Sequence, residues 1–256
     1  MAKIMKHLNR HAPAITLVLV VLFWEVACRV FDVPTFVLPR PSQIVASFGQ
    51  VPLSTWLANI WATLQIVIIG FLISFALSIP LAMMLVNSPL MSRTIVPLLV
   101  IIQSTPIVAI APILVVTLGA GMMPRIIITC LITFFPLVVS TTTGLRAVPE
   151  ELIELSRSLK ATRSREYLQI RLPYAVPYII GAAKVSVTLA VIGAVVAEFV
   201  AADKGLGYMI LSYTSLFKLS QAFVALLILL AISLSLYQGV ALVERSFFGW
   251  SLPPKR

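Results

Sequence analysis

The chain is 256 residues long, 60% hydrophobic and 11% charged, with a mean hydropathy of +1.04. A water-soluble domain of that composition would expose more apolar surface than it can hide, so the bilayer is the expected solvent, with length for about six spans of roughly 20 residues and no separate soluble domain. The formal net charge of +10 would suit a nucleic-acid partner, but the placement of the basic residues along a polytopic chain explains it better, so no nucleic acid is expected.

Met1 to His11 carries Lys3, Lys6 and Arg10 and precedes an apolar run from Ala12 to Val30. That run is too long for a signal peptide, and it holds Glu25 three positions before Cys28, where a lipoprotein cleavage site wants an aliphatic residue. It is expected to be the first span. Asp32 to Leu53, broken by Pro34, Pro39, Pro41 and Pro52, reads as an outside segment with an interfacial helix at Ser42 to Gly49. The second span runs from Trp56 to Val86, long enough to tilt, and Asn87 to Arg93 forms a short turn.

The third span, Thr94 to Leu118, contains Gln103, Ser104 and Thr105 beside Pro106, between Pro97 and Pro112. Pro106 deprives the Ile102 carbonyl of its usual donor. An open carbonyl among polar side chains near the midplane is a candidate translocation-path feature, and the competing reading is a kinked packing helix whose hydroxyls bond its own backbone. Gly119 to Pro124 turns the chain into a fourth span, Arg125 to about Thr143.

Arg146 to Pro173 is the one long polar island, with four of the nine acidic residues and six of the nineteen basic ones. Pro149 suits a first helical position, followed by Glu150 and Glu151 at the positive end of the helix dipole, with Arg157, Lys160 and Arg163 toward the negative end. Leu152, Leu155 and Leu159 make one apolar stripe, and Glu150, Glu154 and Arg157 share the other side. Such a stripe either packs on the bilayer or the chain's own spans, or receives a partner. Ser164 is placed to cap a second helix ending at Leu172, where Pro173 interrupts it.

Tyr174 to Ala202 forms the fifth span, holding Lys184 and ending near Glu198. Gly205 to Gly207 and Ser212 to Ser215 mark an outer loop or re-entrant piece, Leu219 to Val243 is the sixth span, and Ser246 to Arg256 is a tail. With both termini in the cytoplasm, thirteen basic residues lie inside against five outside, and the island is cytoplasmic. Lys184 is expected to snorkel toward the cytoplasmic headgroups, an anionic substrate being the alternative partner. Glu198 faces a water-filled cavity, secures helix packing, or pairs with Lys204 or Lys218.

Several chemistries are excluded. His7 and His11 sit in the N-terminal segment, so no histidine triad or histidine metal site arises in the membrane, and Cys28 and Cys130 are isolated in separate spans. An intramembrane protease would need a serine with a histidine or paired aspartates, yet Asp32 and Asp203 lie in outside loops. An ion-coupled secondary transporter remains an alternative, although Lys184 and Glu198 are the only ionisable residues it could use in mid-span. No G-x-x-x-x-G-K-[ST] run occurs, so ATP and Mg must be held by a partner if ATP is the energy source, and the chain itself is neither an enzyme nor a cofactor carrier.

Glu154-Leu155-Ser156, followed by Ile170, Leu172 and Pro173 at the right spacing, resembles the EAA loop of ATP-binding-cassette importer permeases. Leu38 to Phe48, Pro97 to Gly119 and Val195 to Ile210 are similar to the nitrate, sulfonate and taurine branch of that family, so the resemblance covers most of the chain after residue 35. It implies an all-α type I importer permease in a bacterial inner membrane, working as a homodimer with two ATPase subunits and an outer-face solute-binding protein. The ATPase-coupling residues it implies are Glu150, Glu151, Glu154, Leu155, Ser156, Leu159, Lys160, Ala161, Ile170, Leu172 and Pro173. Gln103, Ser104, Thr105, Lys184 and Glu198 are the candidates for the translocation path. The cargo it suggests is nitrate, a sulfonate, taurine or a thiamine-related pyrimidine. Lys160 stands where the family usually has Gly, which is expected to shift or reshape the bend between the two cytoplasmic helices, since a left-handed Lys costs roughly 1 kcal/mol more than a Gly.

Overall fold

The computed structural model describes residues 2–251, without the side chains of residues 2–11, 13 and 251. The expectations for Lys3, Lys6, His7, Arg10, His11, Lys255 and Arg256 therefore lie outside the described residues. Every regular element among the described residues is helical. In chain order the helices are α1 (Ala2–Val30), α2 (Pro41–Phe48), α3 (Leu53–Asn87), α4 (Pro89–Ser104), α5 (Ile107–Leu118), α6 (Met122–Arg146) and α7 (Glu150–Ser158). They continue with α8 (Arg163–Glu166), a π-helical turn (Tyr167–Arg171), α9 (Leu172–Ala201), α10 (Leu206–Ser215) and α11 (Leu219–Phe247).

Among the described residues, α3, α6, α11 and the helix running unbroken from Arg163 to Ala201 are each long and apolar enough to cross a membrane. The pair α4 and α5 qualifies as a fifth span, but it is bent by 94°. The expected straight third span is thus corrected. Pro106 has no N–H to continue the ladder, and the chain turns at Thr105, whose φ/ψ of −79°/130° is extended. The Ile102 carbonyl is not orphaned either, because the Thr105 N–H donates to it at 3.2 Å. The expected first span is the later part of α1, whose Leu17, Val18, Leu19 and Phe23 are all exposed, as lipid-facing side chains are.

α3, α6 and α9 form the centre, and small residues set how closely they approach. A Cβ added at Gly70 would stand 2.6 Å from Thr129 Cγ2, and one at Gly193 would stand 2.9 Å from Thr129 Cα. Between the helices, Thr133 Oγ1 lies 2.7 Å from Ser74 Oγ, and Ser186 Oγ donates to the Thr133 carbonyl at 3.3 Å. Ser74, Thr133 and Ser186 are completely buried. In hydrocarbon, close backbone approach and bonded hydroxyls take the place of a hydrophobic driving force between helices.

At the end of the bundle opposite the island, α2 lies across α11, with Ile44 and Ser47 buried. Glu25 of α1 accepts from the Ser42 N–H at 3.0 Å and from Ser42 Oγ at 2.9 Å, so α1 is pinned to the start of α2. The segment read as an outer loop or re-entrant piece, Gly205 to Ser215, is built around a short helix, α10, resting on α9 and α11.

Gly193→Val is expected to lose roughly 1–3 kcal/mol, because the new methyls meet the Thr129 backbone, which cannot rotate aside. Thermal unfolding in detergent, read against Gly181→Val, where a Cβ meets open space, checks this.

Candidate coupling loop and intramembrane polar sites

The island folds as a short helix, a tight reversal and a second helix. Pro149 is the residue before α7 rather than its first turn, and Glu150 and Glu151 follow it at the N-terminus. At the other end the Lys160 N–H donates to the Arg157 carbonyl at 2.9 Å and the Ala161 N–H to the Ser156 carbonyl at 3.0 Å. Those two bonds are a Schellman motif, whose left-handed position is usually Gly; here Lys160 occupies it with φ +55°. The expectation that Lys160 would displace the bend is therefore corrected. The two carbonyl bonds hold the bend in place, and the side chain tolerates the strained backbone.

Leu155 and Leu159 of the expected apolar stripe face away from the bundle, so of the two readings the stripe is not packed on the chain's own spans. Ile153 and Ser156 are the buried residues of α7, while Leu155 is 55% and Leu159 75% exposed. Glu150, Glu151, Glu154 and Lys160 are exposed around them, and Ala161 is half-buried. The island thus turns one face to its own bundle and presents a second, acidic and leucine-bearing face to water.

The second cytoplasmic helix is not capped by Ser164 or ended by Pro173. Thr162 Oγ1 accepts from the Arg165 N–H at 3.4 Å, and the chain passes through the π turn directly into α9. Pro173 stands just after the π turn inside that continuous helix, so its missing N–H interrupts the ladder where the π turn already changes the bonding, and the helix goes on. Ile170, Leu172 and Pro173 are half-buried beneath this joint. Arg171 donates from Nε to Glu166 Oε1 at 2.7 Å and from Nη1 to the Leu145 carbonyl at 3.1 Å, with its guanidinium 5.4 Å from the Tyr167 ring centroid. Tyr167 donates its hydroxyl to Asn87 Oδ1 at 2.7 Å, and Arg146 Nη2 reaches Ser92 Oγ at 3.1 Å and the Leu85 carbonyl at 3.3 Å.

Of the five path candidates, Gln103 and Ser104 are exposed and Thr105 half-buried at the α4–α5 bend. The Thr105 hydroxyl donates to the Ile101 carbonyl at 2.9 Å. Lys184 and Glu198 are far from that bend in the chain and bonded elsewhere. Lys184 forms an ion pair with Glu244, near the end of α11. Pairing removes the reason to seek water, since the ammonium has a carboxylate within reach. The sequence signal for this partner was Glu244 itself, an acidic residue just past the expected end of the sixth span.

Glu198 is 1% exposed and pairs with neither Lys204 nor Lys218. Its Oε1 accepts from the Thr63 hydroxyl at 2.7 Å and its Oε2 from the Gly207 N–H at 2.7 Å. Thr63 Oγ1 in turn accepts from the Leu206 N–H at 2.8 Å, and Asn59 Oδ1 accepts from the Gly205 N–H at 2.7 Å. Three consecutive amides at the start of α10 are thus satisfied by side chains from α3 and α9. Gly205 and Gly207 permit the approach: a Cβ at Gly205 would stand 2.3 Å from the Glu198 carboxyl carbon. Nearby, Arg125 donates to the Ala201 carbonyl from Nε at 3.1 Å and Nη2 at 2.7 Å, closing the end of α9. Asn59 and Thr63, four residues apart in an apolar span, were the readable hint of this network. The two cysteines are unremarkable chemically: Cys28 is buried, and Cys130 Sγ lies 3.2 Å from the Gly70 carbonyl.

The described residues form a polytopic helical membrane bundle with a folded polar knuckle between two of its spans. Residues 74–249 match the family described as "Binding-protein-dependent transport system inner membrane component". The chain is 34% identical over 237 residues to the riboflavin transport system permease protein RibX of Chloroflexus aurantiacus, covering 92% of this chain and 88% of that protein. It is 30% identical to the formylaminopyrimidine transport permease protein ThiX of Halalkalibacterium halodurans, over 93% of this chain and 95% of that one. A chain of the inward-facing MetNI methionine ABC transporter superposes with a TM-score of 0.62 at 21% identity, covering 75% of this chain and 97% of that chain, and shares its type I importer permease fold. The protein belongs to the binding-protein-dependent ABC importer permeases, in the branch that includes relatives named for aliphatic-sulfonate and nitrate transport.

Two outcomes follow for the intramembrane groups. Glu198→Ala, which strands the Gly207 N–H and the Thr63 hydroxyl, is expected to cost roughly 1–3 kcal/mol for each group left without an acceptor, and Glu198→Gln to cost less; apparent Tm in detergent reports both. Glu244→Ala, which leaves Lys184 alone, is expected to destabilise by roughly 3 kcal/mol, whereas Lys184→Met with Glu244→Leu is closer to neutral, a comparison the same unfolding assay makes.

Proposed function

We propose that this chain is one of two identical permease copies that pass a small solute, delivered by a binding protein, inward across a bacterial inner membrane. ATP hydrolysis on two separate ATPase subunits drives the cycle, and ATP and Mg are held by those subunits rather than by this chain. The N- and C-termini and the island face the cytoplasm, in keeping with the basic bias of those segments. The exposed face of α7, carrying Leu155 and Leu159 among Glu150, Glu151, Glu154 and Lys160, is the observation that carries the reading. Leucines held rigidly in water next to fixed charges favour a partner surface, and Ser156, Ala161, Ile170, Leu172 and Pro173 serve the same site from beneath by fixing where that face points.

Coupling requires the docked island to contact open and closed ATPase dimers with different free energy. Moving a gate from mostly inward to mostly outward needs about 5.5 kcal/mol of such difference. The bend at Gln103, Ser104 and Thr105 supplies the polar groups of the path, while Lys184 and Glu198 hold helices together instead of touching cargo. For the cargo, the relatives named for riboflavin and formylaminopyrimidine carry nitrogen heterocycles and exceed in identity those named for sulfonate and nitrate, so heterocycles are the first class to offer the binding protein.

Leu155→Asp and Glu154→Lys are each expected to reduce ATPase co-purification by at least about tenfold, the order expected when a central interface residue is lost, with the permease still inserted and monodisperse. Undiminished capture of the ATPase by both variants would overturn this docking face.

A further inference from the structure

The island is fastened to more than its own two spans. Tyr167, 7% exposed, directs its hydroxyl to Asn87, the last residue of α3, and α4 begins two residues later after Ser88. Arg146, at the end of α6, reaches across to Ser92 in the first turn of α4 and to the Leu85 carbonyl in the last turn of α3. Both contacts therefore converge on the corner where α3 becomes α4. Ser88 stiffens that corner by capping α4, accepting from the Met91 N–H at 3.3 Å.

What leaves the corner is a sparsely embedded helix. Of the 16 residues of α4 only Leu99 is buried, whereas α9 buries thirteen of its 30. A helix of that length reaches about 24 Å, and its far end is the bend carrying Gln103, Ser104 and Thr105. Beyond the bend α5 is held through Ala111, packed with Ile128 of α6 and Ala197 of α9. α4 is thus an arm fastened at its two ends and joined along its length by a single apolar seam, Met91, Ile95 and Leu99 against α3 and α6, about which it can swing as a lever. The π turn at Tyr167–Arg171, which carries Tyr167, supplies the joint at which the island meets α9, and single π turns inside helices recur at functional sites.

We propose that the Tyr167–Asn87 and Arg146–Ser92 contacts form the strut through which displacement of the island swings α4 and so moves the polar bend. Tyr167, Asn87 and Arg146 are then positioning residues of the transport cycle, acting on the gate through α4 rather than touching solute or nucleotide. The proposal rests on the reading of the island as the ATPase socket and adds the route by which its motion leaves that socket.

The test uses the permease purified with its ATPase in lipid nanodiscs, in a Cys28→Ala, Cys130→Ala background with Ile101→Cys as reporter beside the bend. The readout is the rate of labelling by a water-soluble maleimide, without nucleotide and after trapping with ATP and vanadate. The unmodified strut is expected to give a nucleotide-dependent change in rate. Tyr167→Phe and Asn87→Leu, each removing one hydrogen bond, are expected to shrink that change by about fivefold while the ATPase stays bound and hydrolyses ATP. Asn87→Asp keeps an acceptor and is expected to preserve the change. An undiminished change in Tyr167→Phe and Asn87→Leu overturns the strut, as does their loss of ATPase binding, which would place the residues in docking. Unchanged labelling in the parent complex, with ATPase bound, overturns α4 as the moving arm. Failure of the parent chain to bind any ATPase instead overturns the socket reading itself.

Discussion

In hydrocarbon no water is present to accept a bond from a peptide group, so each place where a helix stops has to be closed by another part of the protein. The packing of this molecule follows from that constraint. The Gly205, Leu206 and Gly207 amides that open α10 are received by Asn59, Thr63 and Glu198. At the ends of α9, α6 and α3, the Ala201, Leu145 and Leu85 carbonyls accept from Arg125, Arg171 and Arg146. Glu198, which as an isolated charge would be costly at membrane depth, and the three arginines at the ends of the spans are each held by completing a helix end. Removing the partner therefore costs more than the bond is worth, since the remaining polar group has nowhere else to turn.

The same constraint divides the molecule into a closely joined part and a more sparsely joined one. α3, α6 and α9 are joined by glycine contacts at Gly70 and Gly193, by buried hydroxyls, and by closed termini at both ends. α4 is joined to α3 and α6 by a single apolar seam, Met91, Ile95 and Leu99, and the break at Thr105 and Pro106 leaves its outer end as a polar elbow. A permease needs a frame that does not yield and a segment that does, and the distribution of buried small residues separates the two. The island sits where they meet, continuous with α9 through the π turn and bonded to the base of α4 through Tyr167 and Arg146.

The charges inside the spans carry a related lesson about function. Lys184 and Glu198 stand out in an apolar chain, and an ionisable residue at membrane depth is ordinarily taken as a functional marker. Here both are consumed by structure, Lys184 with Glu244 and Glu198 with the start of α10. Of the residues put forward for coupling and the path, Gln103 and Ser104 at the α4–α5 bend and the charged residues of α7 face outward, and the transport reading rests on them.

Composition and periodicity by themselves determined that this is a polytopic helical membrane protein, placed its long apolar helices to within a few residues, and singled out Arg146 to Pro173 as its one long polar segment. Those features are legible because they depend on local properties: apolar run length, proline placement and charge density. The EAA-like spacing from Glu154 to Pro173 was legible for the same reason, being written in consecutive residues. Which leucines of α7 face the bundle, whether the third span is straight, and what Lys184 and Glu198 bond to were decided only by the tertiary structure. Each of those answers turns on a partner 60 to 146 residues away or on a rotation of a few tens of degrees about a helix axis, as with Lys184 and Glu244 or Asn59 and Gly205. A linear pattern fixes neither, because helix period tells which residues share a face but not what the face will meet.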